Sequence, residues 1–209
     1  MTQATQLSIK QRAVAQLQSA QLFKGIPLSD LEALVDIMEY RMFAQGEVLF
    51  RKGDAGDSMY LILSGKVRIF TQDATNNEID LAYLESARIF GDFVIFDQEP
   101  RSASAVAVMP TECLVLYREA FLRFLPQHTF VGLVMMRNIA GQVRRVTALL
   151  NKVSSTLNLI ASGDLTLALQ QLALTESDNE ACQTLIMTFT DLIHSIQQRE
   201  RAAQRSSVP

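Results

Sequence analysis

The chain has 209 residues, a net charge of −3 and a hydrophobic content of 48%, which suits one packed domain with a smaller extension. This acidic balance excludes a global positive field that would attract nucleic acid or an anionic membrane surface. Because no apolar run reaches the length of a membrane span and the N-terminus lacks the pattern of a signal peptide, the sequence predicts a cytoplasmic protein.

The N-terminal part of the chain predicts two helices. A Gln- and Ala-rich stretch covers about residues 9–22. Further on, Ser29 and Asp30 are typical of a helix cap and are followed by apolar positions at helical spacing in residues 31–38. Residues 1–21 are therefore assigned to an N-terminal helical segment.

Between residues 41 and 117 the pattern changes to short alternating strands separated by Gly-Asp, Ser-Gly and Met-Pro breaks. The predicted strands cover residues 47–51, 58–63, 66–71, 79–84, 103–109 and 111–117. This spacing is typical of a β-roll or jelly roll. The turn residues that are expected to adopt positive φ, without a ligand role, are Gly46, Gly53, Gly56 and Gly65.

The C-terminal third of the chain predicts helices. A short helix over residues 118–125 is followed by a long helix from Phe130 to about Ile160. One side of the long helix carries an apolar stripe, made of Val143, Val146, Leu149, Leu150, Val153, Leu157 and Ile160. Such a stripe must pack on something, and a second copy of the chain or the predicted second helix at residues 185–196 could cover it.

Residues 151–198 are assigned to a helical extension and residues 199–209 to a disordered tail. The break at Gly163 and Asp164 resembles, weakly, the one in the two-helix HAMP signalling module, and a plain helical hairpin is the alternative. Acidic residues outnumber basic ones from Asn151 onward, so the sequence predicts no contact with DNA.

Residues 90–104, FGDFVIFDQEPRSAS, combine a glycine, a carboxylate and an arginine at a spacing that suits a phosphate joined to a sugar. Gly91 lets the backbone approach a ligand closely. Asp92 is placed to accept a hydrogen bond from a ribose hydroxyl. Arg101, nine residues after Asp92, could hold two phosphate oxygens with its planar guanidinium.

This motif and the upstream segment GEVLFRKGDAGDSMYLILSGKVRIF, from Gly46 to Phe70, resemble the cyclic nucleotide-binding domain of catabolite activator proteins, cyclic-nucleotide-dependent kinases and cyclic-nucleotide-gated channels. The resemblance covers roughly residues 22–150, which are assigned to that domain. It implies an α+β fold, in which a β-roll or jelly roll is flanked by N-terminal helices and followed by a long C-terminal helix and a helical extension.

The resemblance also implies residue roles: the acidic residue meets the ribose 2′-hydroxyl, the following backbone amides hold the cyclic phosphate, and the arginine neutralises it. The candidate ligand-binding residues are accordingly Gly91, Asp92, Phe93, Val94, Arg101 and Ser102, and the candidate base contacts on the long helix are Asn138, Gln142 and Arg145. Two residues depart from the family pattern, since Asp92 replaces the usual glutamate and Val94 replaces the usual small residue.

The resulting hypothesis is a cyclic nucleotide sensor, with cyclic AMP expected rather than cyclic GMP. It would form a homodimer through its C-terminal helices and signal to an unidentified protein partner. The alternative is a ligand-free scaffold or interaction protein, which Asp92 and Val94 favour and Arg101 opposes. A third interpretation is a sensor fragment of a larger assembly with its output on another polypeptide.

No enzyme, cofactor or metal site is expected. His128 and His194 stand outside any metal-ligand spacing, and the sequence contains neither a GxSxG motif nor a P-loop. Cys113 and Cys182 belong to no CxxC pattern and are interpreted as small buried hydrophobic residues.

Overall fold

The computed structural model describes residues 3–73, 75–97, 99–162, 164 and 166–168. Its helices are α1 (Gln3–Ser19), α2 (Leu28–Asp36), α3 (Val94–Asp97), α4 (Arg118–Phe124) and α5 (Thr129–Ala161), with a 3₁₀ turn at Gln21–Phe23. Its strands are β1 (Glu39–Phe43), β2 (Val48–Phe50), β3 (Ser58–Ser64), β4 (Val67–Gln72), β5 (Glu78–Leu84), β6 (Ile89–Phe90), β7 (Ser104–Ala107) and β8 (Thr111–Tyr117). The predictions for residues 185–196 and 199–209, and those for Cys182 and His194, lie outside the described residues.

The eight strands form two four-stranded antiparallel sheets, in the orders β1-β8-β3-β6 and β2-β7-β4-β5. Together with the N-terminal helices and the long α5, this confirms the predicted α+β jelly-roll fold. The sequence patterns did not predict β1, in which Phe43 alone is buried, or β6, which has two residues. Such short or largely exposed strands carry too little alternation to be recognised.

The two central strands of the first sheet, β8 and β3, are buried on both faces. In β3, Met59, Leu61 and Leu63 belong to a core cluster with the helices, whereas Tyr60 and Ile62 belong to a second cluster with the other sheet. Strand β8 divides its side chains between the same two clusters. Since successive side chains of a strand point to opposite faces, this sheet lies between a helical layer and the second sheet.

Helix α2 does not begin at the predicted cap. It starts at Leu28 directly after Pro27, and no side chain caps its first turn. The prediction of a cap at Ser29 and Asp30 is therefore wrong, because the fixed φ of proline already suits a helix start. Asp30 lies inside the first turn and its carboxylate accepts a hydrogen bond from His128, 98 residues away.

The turn glycines follow the prediction with one exception. Gly46, Gly53 and Gly65 have positive φ, as expected, and Gly56 does not. A Cβ atom on Gly56 would lie 2.2 Å from a methyl carbon of Val94. Gly56 is therefore needed for close packing and not for a left-handed backbone.

The chain divides into two compact units, residues 1–139 and 140–209. In the second unit, Val143, Leu150 and Leu157 of the apolar stripe are 58%, 62% and 46% exposed. Helix α5 ends at Ala161, and the Asp164 carboxylate accepts a hydrogen bond from the backbone N–H of Leu167 at 3.2 Å. Asp164 thus caps a new helical turn. None of the helices in the described ranges combines the length and hydropathy of a membrane span.

Candidate ligand-binding site

The candidate site is built on the connection from β6 through α3 to β7. Gly91 follows β6 with a φ of 68°, a left-handed conformation that favours glycine. A Cβ atom at this position would lie 2.6 Å from Nη1 of Arg101. The absence of a side chain at Gly91 is therefore what lets the guanidinium lie against the backbone of this connection.

Arg101 returns from this connection into the interior and is 4% exposed. Its Nη1 group donates a hydrogen bond to the carbonyl oxygen of Gly91 at 3.3 Å, and its Nη2 group donates to the hydroxyl of Ser58 at 3.1 Å. The guanidinium carbon lies 4.1 Å from the centre of the Phe50 ring, within the range of a cation–π contact. Three separate segments therefore hold the arginine head.

The charge of Arg101 is incompletely compensated. Burial lowers the pKa of this guanidinium, while the nearby carboxylates of Asp57 and Asp54 oppose the decrease. The Asp57 carboxylate lies 3.8 Å from Nη2, beyond hydrogen-bond distance, and the buried Nε–H has no acceptor among the described residues. An unpaired donor on a buried cation costs free energy, and an anion is one group that would relieve this cost.

Asp92 lies half-buried at the start of α3. Burial raises the pKa of this carboxyl, and the nearby backbone N–H groups of Asp92 and Phe93 oppose the increase only in part. Of the next two residues, Phe93 is 62% exposed and Val94 is buried against Gly56. The side chain at position 94 is thus turned into the core.

Replacement of Asp92 by asparagine is expected to stabilise the fold near neutral pH. A carboxyl whose pKa is higher in the folded state opposes folding once it ionises; this penalty is absent below the pKa of the unfolded chain, grows as the pH rises, and is complete above the folded pKa. Thermal unfolding of the wild type and of the asparagine variant at several pH values measures the difference in stability. This difference should vanish in acid and grow towards pH 7. A variant that is equally stable or less stable than the wild type at pH 7 would contradict the expectation.

Of the remaining residues considered from the sequence, only some lie near Arg101. Ser102 is exposed beside Arg101, whereas the hydroxyl of Ser104 accepts a hydrogen bond from the backbone N–H of Lys52 at 3.0 Å. The amide of Asn138 donates to the carbonyl oxygens of Leu22 and Lys24, at 2.9 and 3.0 Å. Gln142 and Arg145 are exposed residues of the second unit, and their base contacts stay predictions.

Sequence reasoning missed Phe50 and Ser58, the two side chains that hold the arginine head. Phe50 ends a short strand, and Ser58 follows the Gly-Asp turn at the start of β3. Neither position carries a local signal of this role, because their partner lies more than forty residues away in the sequence. Among the described residues, no cluster of His, Cys, Asp or Glu could hold a metal ion.

The family model for the cyclic nucleotide-binding domain matches residues 40–128. The cyclic AMP receptor protein of Thermus thermophilus is 33% identical over 138 residues, which are 66% of this chain and 64% of the relative. A CRP-like cAMP-activated global transcriptional regulator of Mycobacterium tuberculosis is 29% identical over 62% of this chain and 58% of its own length. The chain thus spans less than two thirds of these curated relatives.

The fold resembles the solved structure of a catabolite activator protein. The Thermus thermophilus catabolite activator protein matches with a TM-score of 0.57 and 31% identity, over 69% of this chain and 72% of that chain. The structural match includes more residues of this chain than the family model does, and it covers more than two thirds of the solved chain.

Proposed function

This chain belongs to the cyclic nucleotide-binding domain family, and on that premise we propose that it is a regulatory sensor that binds a cyclic nucleotide between Gly91 and Ser102. The observation that carries the proposal is Arg101, a buried guanidinium with an Nε–H that lacks an acceptor in the described part of the chain. A cyclic phosphate supplies one negative charge and several acceptor oxygens at this point.

The proposed division of roles follows from the charges of the ligand. Hydrogen bonds to a charged group contribute about 1.5–3 kcal/mol each. The Arg101 guanidinium can meet the charged phosphate with an opposite charge and is therefore assigned most of the affinity, whereas the Asp92 carboxylate meets the neutral ribose and adds one bond from a hydroxyl. The Asp92 carboxylate is half-buried at the start of α3, and its oxygens can accept a bond from a hydroxyl.

We propose cyclic AMP as the ligand in preference to cyclic GMP. The support is the cyclic AMP named for the Thermus relative, which matches 66% of this chain. Base selection is assigned to Gln142 and Arg145, with Asn138 contributing only if its amide leaves the carbonyls of Leu22 and Lys24. Ser102, exposed beside Arg101, is the residue whose hydroxyl would meet a guanine amino group.

The output is proposed to run through protein contacts of the C-terminal helices, within a homodimer, and not through DNA or catalysis. Residues 153–198 contain no lysine or arginine, whereas five acidic residues lie there. A segment of this charge repels the phosphate backbone of nucleic acid. The apolar stripe of α5 supplies the surface for a second copy.

Calorimetric titration of nucleotide-free protein with cyclic AMP and cyclic GMP tests this function. A ligand at a hundred times its dissociation constant adds about 2.7 kcal/mol to the free energy of unfolding. The melting temperature should therefore rise by about 5–10 °C, since about 1 kcal/mol corresponds to about 2–4 °C in a domain of this size. No heat and no shift with either nucleotide at millimolar concentration would refute the proposal.

A ligand-free scaffold is the second candidate, because the site satisfies part of its own polar groups. The Arg101 guanidinium, which a phosphate would bind, already donates hydrogen bonds to the carbonyl oxygen of Gly91 and to the hydroxyl of Ser58. In that case the titration gives no heat, and the C-terminal helices bind their partner without any nucleotide.

A further inference from the structure

His128 connects three helices at a place away from the candidate ligand site. Its Nδ1–H donates a hydrogen bond to the carboxylate of Asp30 on α2 at 2.7 Å, and both side chains are largely buried. Its ring is stacked on Phe124 of α4, with the ring centres 4.0 Å apart and the planes at 4°. Its carbonyl oxygen accepts the backbone N–H of Val131 in the first turn of α5. One residue thus joins α2 and α4 to the start of α5.

A chain of aromatic rings leads from this residue to α3. Phe124 packs on Phe121 with ring centres 6.5 Å apart, and Phe121 forms a T-shaped contact with Phe96 of α3, with ring centres 6.4 Å apart. Ile95 of α3 is 2% exposed and belongs to the same core cluster as Phe121 and Phe124. The helix that follows Asp92 therefore rests on α4, and the opposite end of α4 rests on His128.

Helix α3 depends on this support. It contains four residues, and a single helical turn is unstable without tertiary packing. Because packed cores switch between discrete arrangements and do not deform smoothly, a change in the seating of α4 is expected to change the seating of α3. The backbone that carries Asp92 and Phe93 would then change its position relative to Arg101.

The neighbouring charged groups have partners of their own. A cleft of about 540 Å³ between α2 and α4 is lined by His128 together with Asp36 and Arg123. Asp36 pairs with Lys10 on α1, and Arg123 pairs with Glu119 on α4. Among the side-chain contacts of the described residues around this cleft, Asp30–His128 is the polar one that ties α2 to the junction of α4 and α5.

We propose that Asp30 and His128 form a clasp that positions α3, so that these two residues set the nucleotide affinity of a site they do not touch. The inference takes its ligand from the proposed function. The contacts among the aromatic rings are what connects the clasp to α3. In this structure the Asp30–His128 bond is formed while the Nε–H group of Arg101 lacks an acceptor among the described residues, so we take the closed clasp as the state that binds an anion. Opening the clasp is therefore expected to weaken binding, and bound nucleotide is expected to tighten the clasp by the same factor.

Three variants of the full chain separate the clasp from general stability. His128→Phe keeps an aromatic ring on Phe124 but removes the donor, and His128→Asn places an N–H donor where Nδ1 stands. Arg123→Ala removes an exposed charge from the same cleft and serves as the control. The dissociation constant for cyclic AMP, measured by calorimetry, should rise about fivefold or more in His128→Phe, remain within about twofold in His128→Asn, and stay unchanged in Arg123→Ala.

A second measurement needs no nucleotide. The chain has two histidines, so the ring signal of His128 in a proton–carbon NMR spectrum is assigned by its loss in His128→Asn. Phe96→Ala, at the other end of the ring chain, should move this signal, whereas Arg51→Ala, an exposed charge deletion away from the ring chain, should not. If the clasp served stability alone, His128→Phe would lower the melting temperature and leave the affinity unchanged, and Phe96→Ala would not move the His128 signal.

These outcomes keep the two proposals apart. Wild-type protein that binds neither nucleotide refutes the proposed function, and the NMR result with Phe96→Ala then decides whether α3 and the clasp are coupled. Wild-type protein that binds cyclic AMP, together with a His128→Phe variant of equal affinity, overturns the clasp and leaves the proposed function intact.

Discussion

Replacement of Arg101 by alanine is expected to abolish useful binding of cyclic AMP. The guanidinium is buried, and truncating one member of a buried charged pair costs about 2–5 kcal/mol, or about 30- to 5,000-fold in the dissociation constant. Calorimetric titration measures the loss. Arg51→Ala, which removes the same charge from an exposed position, is the matched control and should bind as the wild type does.

Arg101→Lys refines this test. Lysine keeps the positive charge but lacks the planar pair of donors, so its affinity should lie between those of the wild type and the alanine variant. The sequence alone predicts that Arg101 serves the ligand more than the core. In the structure its head also bonds Gly91 and Ser58 and packs on Phe50, so the alanine variant loses native contacts as well.

Its melting temperature without nucleotide must therefore be measured beside its affinity. Because truncation also relieves a desolvated cation, the two effects on stability oppose each other and the variant is expected to fold. A folded Arg101→Ala protein that binds cyclic AMP normally would show that the phosphate assignment is wrong.

The full chain is expected to form a dimer, and Leu150→Glu is expected to convert it to a monomer. Residues Val143, Val146, Leu150, Val153, Leu157 and Ile160 follow one another at spacings of three and four, the repeat of a coiled-coil seam. Leu150 is 62% exposed within the single chain. A carboxylate at this position would be buried without a partner in the paired helices, which strongly opposes association.

Light scattering at tens of micromolar measures the mass. We expect twice the monomer mass of 23.3 kDa for the wild type and the monomer mass for Leu150→Glu. Asn151→Glu introduces the same charge one residue later, outside the stripe, and should remain dimeric. Truncation after Lys152 should weaken association, because it removes the last three apolar positions of the seam.

Monomeric full-length protein, with and without cyclic AMP, would contradict the dimer. The stripe would then be covered within one chain or by an unidentified partner. Equal dissociation of Leu150→Glu and Asn151→Glu would show that added charge, and not loss of the apolar seam, separates the subunits.

The local sequence determined those features whose signal repeats within a few residues. Alternation located β3 and β8, helical spacing located α4 and α5, and the spacing of Gly91, Asp92 and Arg101 identified the candidate site. Each of these signals follows from a backbone period or a local turn. The jelly roll was predicted correctly from the spacing of the strands, and the family was predicted correctly from the resemblance of the two glycine-containing segments to a known domain.

Only the tertiary structure decided which distant residues meet. Three contacts join segments that are far apart in the chain: Phe50 packs on Arg101, Val94 packs on Gly56, and His128 bonds Asp30. Local patterns state whether a side chain is apolar or charged and which face of an element it occupies, but they do not name its partner. That partner is determined by how the two sheets and the helical layer pack, because close packing brings specific side chains from separate elements into contact.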